Sequence, residues 1–230
     1  ITNGIKVDDL TAASVRALAG KAIKRDGGLF VVPVELRGKR KDGRDVIHSR
    51  AEVVLVSALP KAPAPTTLPE TGPYPHPLNE IYRYFLFHGP DLHGIERVDG
   101  VAELAITGAA ATAPPPADWF TFPLRSGWVA DPLVLDASFQ LMILWSRHQH
   151  GAPSLPNFAG RYRQYRRHFP DGPVTVVARI TRDNGTFARA DIDYLDADGE
   201  VVAQLQDYEC MMTDNLTQAF TRNQLGAVRA

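Results

Sequence analysis

Residues 131–145 read Asp131-Pro132-Leu133-Val134-Leu135-Asp136-Ala137-Ser138-Phe139-Gln140-Leu141-Met142-Ile143-Leu144-Trp145. Asp131 is a good N-cap and Pro132 suits the first helical position, while Gly151 stands where a helix stop is expected. The span between them is apolar on nearly every face, which predicts a buried helix. Asp136 is the anomaly, because a lone carboxylate inside an apolar helix has to be paired, coordinated or protonated. Gln140 lies four residues on and shares its face, so its amide can hold the carboxyl in one rotamer. Burial would raise the carboxyl pKa and leave Asp136 able to act as a general acid. The plainer reading is that Asp136 sits near the helix start, is favoured by the macrodipole and reaches water. Helix pattern alone weighs the two evenly.

Outward from this helix the pattern is of strands. Residues 98–107, 174–181, 186–195 and 201–212 read as strands, with Asp196-Ala197-Asp198-Gly199 turning the chain before the last. Residues 109–116 form a loop of small residues and prolines, and the polar tail from Thr213 is helix-compatible. Nearer the start, residues 14–23 alternate as a strand through Val15, Ala17 and Ala19. Gly27-Gly28 turns the chain into 29–36, and Lys41-Asp42-Gly43-Arg44 is a hairpin turn leading to a long strand at 46–56. Between the groups lie Pro60, Pro63, Pro65, Pro69, Pro73, Pro75 and Pro77, an extended and semi-rigid run suited to a linker. A buried helix wrapped by antiparallel strands is an α+β architecture. The expected division is 1–58, a 59–78 linker, a second unit over 79–213 and a tail over 214–230.

Bulk properties narrow the function classes. A formal charge of −1 over 230 residues gives no field that gathers nucleic acid or anionic lipid. Cys210 is the single cysteine, which excludes an intrachain disulfide and fits a cytoplasmic protein. Apolar stretches of about ten residues fall short of the roughly 20 that span a bilayer. The Gly-Pro bend in His88-Gly89-Pro90-Asp91-Leu92-His93-Gly94 can press backbone against a bound chain and bring His88 to a substrate, although an exposed turn is the commoner use of such a sequence. In Gly160-Arg161-Tyr162-Arg163-Gln164-Tyr165-Arg166-Arg167, alternation predicts an edge or surface strand. Its cationic side is either simply solvated or a docking face for an acidic partner or a phosphate. His148 and His150 suit the positive charge favoured at a helix end, and no metal-ligand spacing accompanies them.

Taken in order, these segments resemble the dehydratase domain of polyketide synthases and multifunctional polyunsaturated fatty-acid synthases. Residues 131–140 resemble its His-Pro-x-x-x-Asp-x-x-x-Gln segment, with Asp131 in place of the usual His. Phe87-His88-Gly89-Pro90 resembles its Tyr-Gly-Pro loop, with His88 where many members have Tyr. Leu155-Pro156 resembles the Leu-Pro pair after the catalytic helix, and the stretches from Tyr208 to Cys210 and from Ala219 to Leu225 resemble the domain's ending.

The resemblance implies a double hotdog, two antiparallel sheets each curled round a helix, with the first hotdog incomplete in this chain. It implies loss of water from a 3-hydroxyacyl thioester, with Asp136 protonating the departing hydroxyl and Gln140 supporting it. His88, Gly89, Pro90, Leu92, Leu155 and Pro156 would line the substrate. The substrate would arrive on the phosphopantetheine of an acyl carrier protein, with Arg161, Arg163, Arg166 and Arg167 as its docking face and no metal or diffusible cofactor. Neighbouring synthase domains and a homodimeric partner are the other expected contacts. The family's base lies in a His-x-x-x-Gly-x-x-x-x-Pro motif that these 230 residues do not contain. His48 and His76 lack the spacing, and the first unit lacks a central helix unless residues 1–4 are its last turn. The expectation is that the base lies upstream and that the 230 residues alone are inactive. The alternative is a non-catalytic double-hotdog module that binds an acyl chain or braces a synthase; a thioesterase or double-bond isomerase on the same scaffold is a third reading.

Overall fold

Pro33 interrupts what the alternation predicts as one strand over 14–23. The computed structural model of the chain describes residues 1–5, 13–40 and 42–217, in two units divided between Leu59 and Pro60. In the first unit, β1 (Val15–Ala19) and β2 (Ile23–Lys24) both pair antiparallel with β3 (Phe30–Lys39), whose other edge pairs with β4 (Asp45–Leu55). The gap between β1 and β2 faces Pro33, which has no N–H to give; its carbonyl accepts from the Gly20 amide at 2.8 Å. A Cβ on Gly20 would lie 2.8 Å from the Pro33 ring, so a glycine is needed at this crossing. Residues 1–5 are not helical: the Thr2 and Asn3 amides donate to the His48 carbonyl on β4. The idea that residues 1–4 end a central helix is therefore corrected. Of the predicted turn, Lys41 lies outside the described residues.

The second unit is built round one long helix. Its elements are α1 (Leu78–Glu80), continued by a π-helical turn at Ile81–Phe85, then β5 (Ile95–Ala102), β6 (Ala105–Ala110), α2 (Pro116–Trp119) and α3 (Pro132–His150). Strands β7 (Ser154–Gln164), β8 (Val174–Asp183), β9 (Phe187–Leu195) and β10 (Val201–Met212) follow. All six strands form an antiparallel sheet in the order β5-β6-β8-β9-β10-β7, packed on α3 through β5, β6, β7 and β8. Val174, Val176, Ala178 and Ile180 on β8 alternate inward and meet Ala137, Leu141, Leu144 and Trp145 of the helix. Gly108 lets β6 pass close, since a Cβ there would meet the Arg97 carbonyl at 2.7 Å and Leu141 at 3.1 Å.

The strand expected over 98–107 is two strands joined at Glu103-Leu104. No glycine, proline or asparagine marks that turn; α3 and β8 stabilise it instead. Trp145 Nε1 donates to the Glu103 carbonyl, Gln149 to the Ala102 carbonyl, and the Ile180 amide to the Leu104 carbonyl. From Pro60 the proline-rich segment belongs to this unit. Ala62 covers the outward-facing Val177, Leu195 and Val201, the Thr66 hydroxyl donates to Asp193, Arg179 donates to the Thr67 carbonyl, and Gly72 bridges Val101. Among the described residues, no helix is long and apolar enough to cross a membrane.

Candidate active site

Helix α3 starts as its sequence predicts. The Asp131 carboxylate accepts from the amides of Leu133 at 3.0 Å and Val134 at 2.9 Å, and its second oxygen accepts from the Ala113 amide at 2.9 Å. Burial pushes the Asp131 carboxyl up, against the pull of these three bonds. Gly151 closes the helix with φ 71° and donates its amide to the Arg147 carbonyl. Asp131 is thus committed to capping the helix and tying the residue 111–115 loop to it.

Five residues on, the Asp136 side chain is 31% exposed. It is neither sealed in the core nor fully solvated: it lies where the helix faces the His88–Gly94 loop, open enough for a ligand to reach. Gln140 Nε2 donates to Asp136 Oδ2 at 2.8 Å and to the Leu92 carbonyl at 2.7 Å. The fully buried Gln140 is satisfied at its other end by the Tyr82 hydroxyl, which donates to Oε1 at 2.9 Å and accepts from the Ile95 amide at 2.7 Å. Burial pushes the Tyr82 phenol up, so it stays a neutral donor. These bonds fix the Gln140 amide orientation and, through it, the Asp136 rotamer.

The loop reaches the same carboxyl from the other side. His88 is stacked on Phe87, its side chain is 6% exposed, and its Nε2 lies 3.5 Å from Asp136 Oδ2. Burial lowers the imidazole pKa, the Asp136 charge opposes this and His93 adds to it. His93 stacks on Tyr82 at 3.9 Å between ring centres and approaches the His88 carbonyl at 3.1 Å. Gly89 precedes a 3-10 turn at Pro90–Leu92, and a Cβ on Gly89 would meet nothing within 4 Å, so the bend borders open space. Leu92 takes part through its carbonyl while its side chain is exposed. Gly94 runs against the helix start, where a Cβ would meet Leu133 at 2.9 Å.

Leu155 and Pro156 open β7 opposite Met211 and Cys210, with Leu155 packed on the core. Arg161 and Arg163 stand exposed on β7, the edge strand of the sheet. Arg166 and Arg167 lie beyond its end, and Arg166 is already paired with the buried Asp196 at 2.6 Å. His150 pairs with Asp183 at 2.8 Å. Residues 219–225 lie outside the described residues. Sequence reasoning missed Tyr82 and His93. The available signal was a tyrosine inside the apolar run of residues 81–87, where a phenol needs a partner once buried.

The family model of the polyketide synthase dehydratase N-terminal domain matches residues 60–219, the part of the chain that holds this carboxylate, its i+4 glutamine and the Gly-Pro loop. The chain belongs to the polyketide synthase dehydratase family. A curated relative of this dehydratase-family chain is a polyunsaturated fatty acid synthase component from Thraustochytrium sp., 32% identical over 146 residues. The match takes in 62% of this chain and 5% of that much longer protein. Among solved structures, the dehydratase domain from the CurF module of the curacin polyketide synthase has a TM-score of 0.68 at 18% identity, covering 90% of this chain and 71% of that one. The CurH-module dehydratase has a TM-score of 0.66 at 13% identity, covering 92% and 74%. The dehydratase domain of a mycocerosic acid synthase-like polyketide synthase has 0.62 at 20%, covering 86% and 69%. At such identities the likeness is one of fold, and the fold is the double hotdog with antiparallel sheets. In the first unit, the described residues include no α-helix for its sheet to wrap.

Proposed function

We propose that this dehydratase-family chain supplies the acid for removal of water from a 3-hydroxyacyl thioester, giving a 2-enoyl thioester. The observation that carries the reading is the Asp136 carboxyl, partly open, with its rotamer held by the buried Gln140–Tyr82 chain. In the elimination a base takes the C2 proton as the C3–O bond breaks, and Asp136 gives its proton to the departing hydroxyl, which leaves as water. Coupling the two transfers avoids forming a carbanion and a free hydroxide together. The acid step falls to this chain; the C2 proton falls to a His of the family's His-x-x-x-Gly-x-x-x-x-Pro motif, which is not among these 230 residues.

The acyl chain would be delivered on the phosphopantetheine of an acyl carrier protein working beside other synthase domains. Exposed Arg161 and Arg163 on the β7 edge offer cations to an acidic carrier surface, and Arg167 extends the patch. The test separates binding from turnover in the synthase that carries the chain. Asp136→Asn should still bind a carrier-borne 3-hydroxyacyl chain but release no enoyl product. A parent that binds the acyl chain and never eliminates water would instead be a non-catalytic acyl-binding module.

A further inference from the structure

Two nitrogen groups meet the Asp136 carboxyl, and both meet the same oxygen. Gln140 Nε2 donates to Oδ2 at 2.8 Å, and His88 Nε2 approaches Oδ2 at 3.5 Å from the loop. Among the described residues Oδ1 takes no hydrogen bond. The other ring nitrogen, His88 Nδ1, is buried with no hydrogen-bond partner among the described residues. We infer that His88 is a positioning residue for the acid: as a neutral ring bearing its proton on Nε2, it joins Gln140 in fixing Oδ2 as the acceptor oxygen, so that Oδ1 carries the proton given to the leaving hydroxyl. The inference rests on the acid role proposed for Asp136.

The place of the acid proton decides whether Asp136 works. On the imidazole it would leave a carboxylate, which accepts protons and cannot donate one. A charged ring at this position would have to bury an N–H on Nδ1 without an acceptor, in a site that is 6% exposed, and that is costly. A neutral ring leaves only an unused lone pair there. The surroundings favour the neutral form as well. His93, just after the 3-10 turn, disfavours charge on His88, and among the described residues Asp136 on α3 is the carboxylate acting on the ring. Tyr82 and Tyr208, whose hydroxyls feel the Asp136 charge, are held neutral by burial. Stacking on Phe87 at 4.2 Å holds the plane of the ring, and hence the line of its Nε2–H.

Nitrogen-15 spectra of the chain, with His88→Phe used to assign the ring, test this directly. The expected result at neutral pH is a neutral His88 ring protonated on Nε2. An imidazolium, or a neutral ring protonated on Nδ1, would overturn the inference. Kinetics in the parent synthase supply an independent check. His88→Phe keeps a flat ring but removes the donor, and kcat should fall on the order of 10²-fold, the scale that misplacing a catalytic group costs, with little change in KM. His88→Gln keeps a neutral N–H donor at similar reach and should restore most of the loss. Equal kcat in His88→Phe and the parent overturns the inference. The spectra report on His88 alone and Asp136→Asn reports on the acid, so failure of one is distinguishable from failure of the other.

Discussion

At the scale of single residues, the site depends on Gln140 more than its amide suggests. Buried, it ties the Leu92 carbonyl, the Asp136 carboxyl and the Tyr82 hydroxyl together. Gln140→Ala removes three bonds and leaves the buried Tyr82 hydroxyl without an acceptor, while the Leu92 carbonyl keeps the Gly94 amide, and should cost about 2–3 kcal/mol in denaturant unfolding. Tyr82→Phe removes two bonds, leaving Gln140 Oε1 and the Ile95 amide unpaired but the ring in place, and should cost about 1–3 kcal/mol. Asp136→Ala should leave the melting transition almost unmoved, because its carboxyl is partly solvated and makes one strong bond. That contrast between loss of stability and loss of chemistry is what a site residue on a structural frame should show. The sequence made Asp136 and Gln140 legible because helical spacing of four puts them on one face. It hid Tyr82 and His93, whose roles come from a loop folding back on α3, a contact without local periodicity.

At the scale of elements, α3 owes its start to Asp131, whose two oxygens serve three amides. Asp131→Ala should destabilise by about 1–2 kcal/mol, and Asp131→Asn, which also caps, by much less; thermal melting of the two variants separates capping from charge. The helix was legible through its cap, its first-turn proline and its closing glycine. The β5–β6 hairpin was not, because side chains of α3 and an amide of β8 bind its turn, and no turn residue marks it. The β1–β2 break was equally hidden, since its cause, Pro33, lies on the neighbouring strand. On β7, charge reversal in Arg161→Glu with Arg163→Glu should raise KM for a carrier-borne substrate and leave KM for a pantetheine thioester unchanged. The difference should shrink as salt rises, since exposed charges are screened over about 10 Å at 0.1 M. Equal KM changes for both substrates would remove the docking role.

At the scale of the whole molecule, the buried His88 imposes a pH signature. Its folded pKa is lowered by burial below the unfolded value of about 6.5, so below that pH the unfolded chain binds the proton more readily. Stability should therefore hold above about pH 6.5, fall as pH drops through that value, and level off below the folded pKa. His88→Phe should flatten this limb in denaturant unfolding between neutral and mildly acidic pH; an unchanged slope would mean the ring is not desolvated. The double-hotdog class was legible because strand periodicity, a capped apolar helix and motif order agreed. What the helix pattern could not decide was how far Asp136 is buried, which depends on the separate loop that covers it.

The central claim is that Asp136 protonates the departing hydroxyl, and the most direct measurement follows that oxygen. A carrier-borne 3-hydroxyacyl thioester labelled with oxygen-18 at C3 is given to the parent synthase and to its Asp136→Asn variant. Label should pass into water with the parent and stay on the acyl chain with the variant, slowed by on the order of 10²–10⁴-fold. Release of label at the parental rate by Asp136→Asn would contradict the account and place the acid elsewhere.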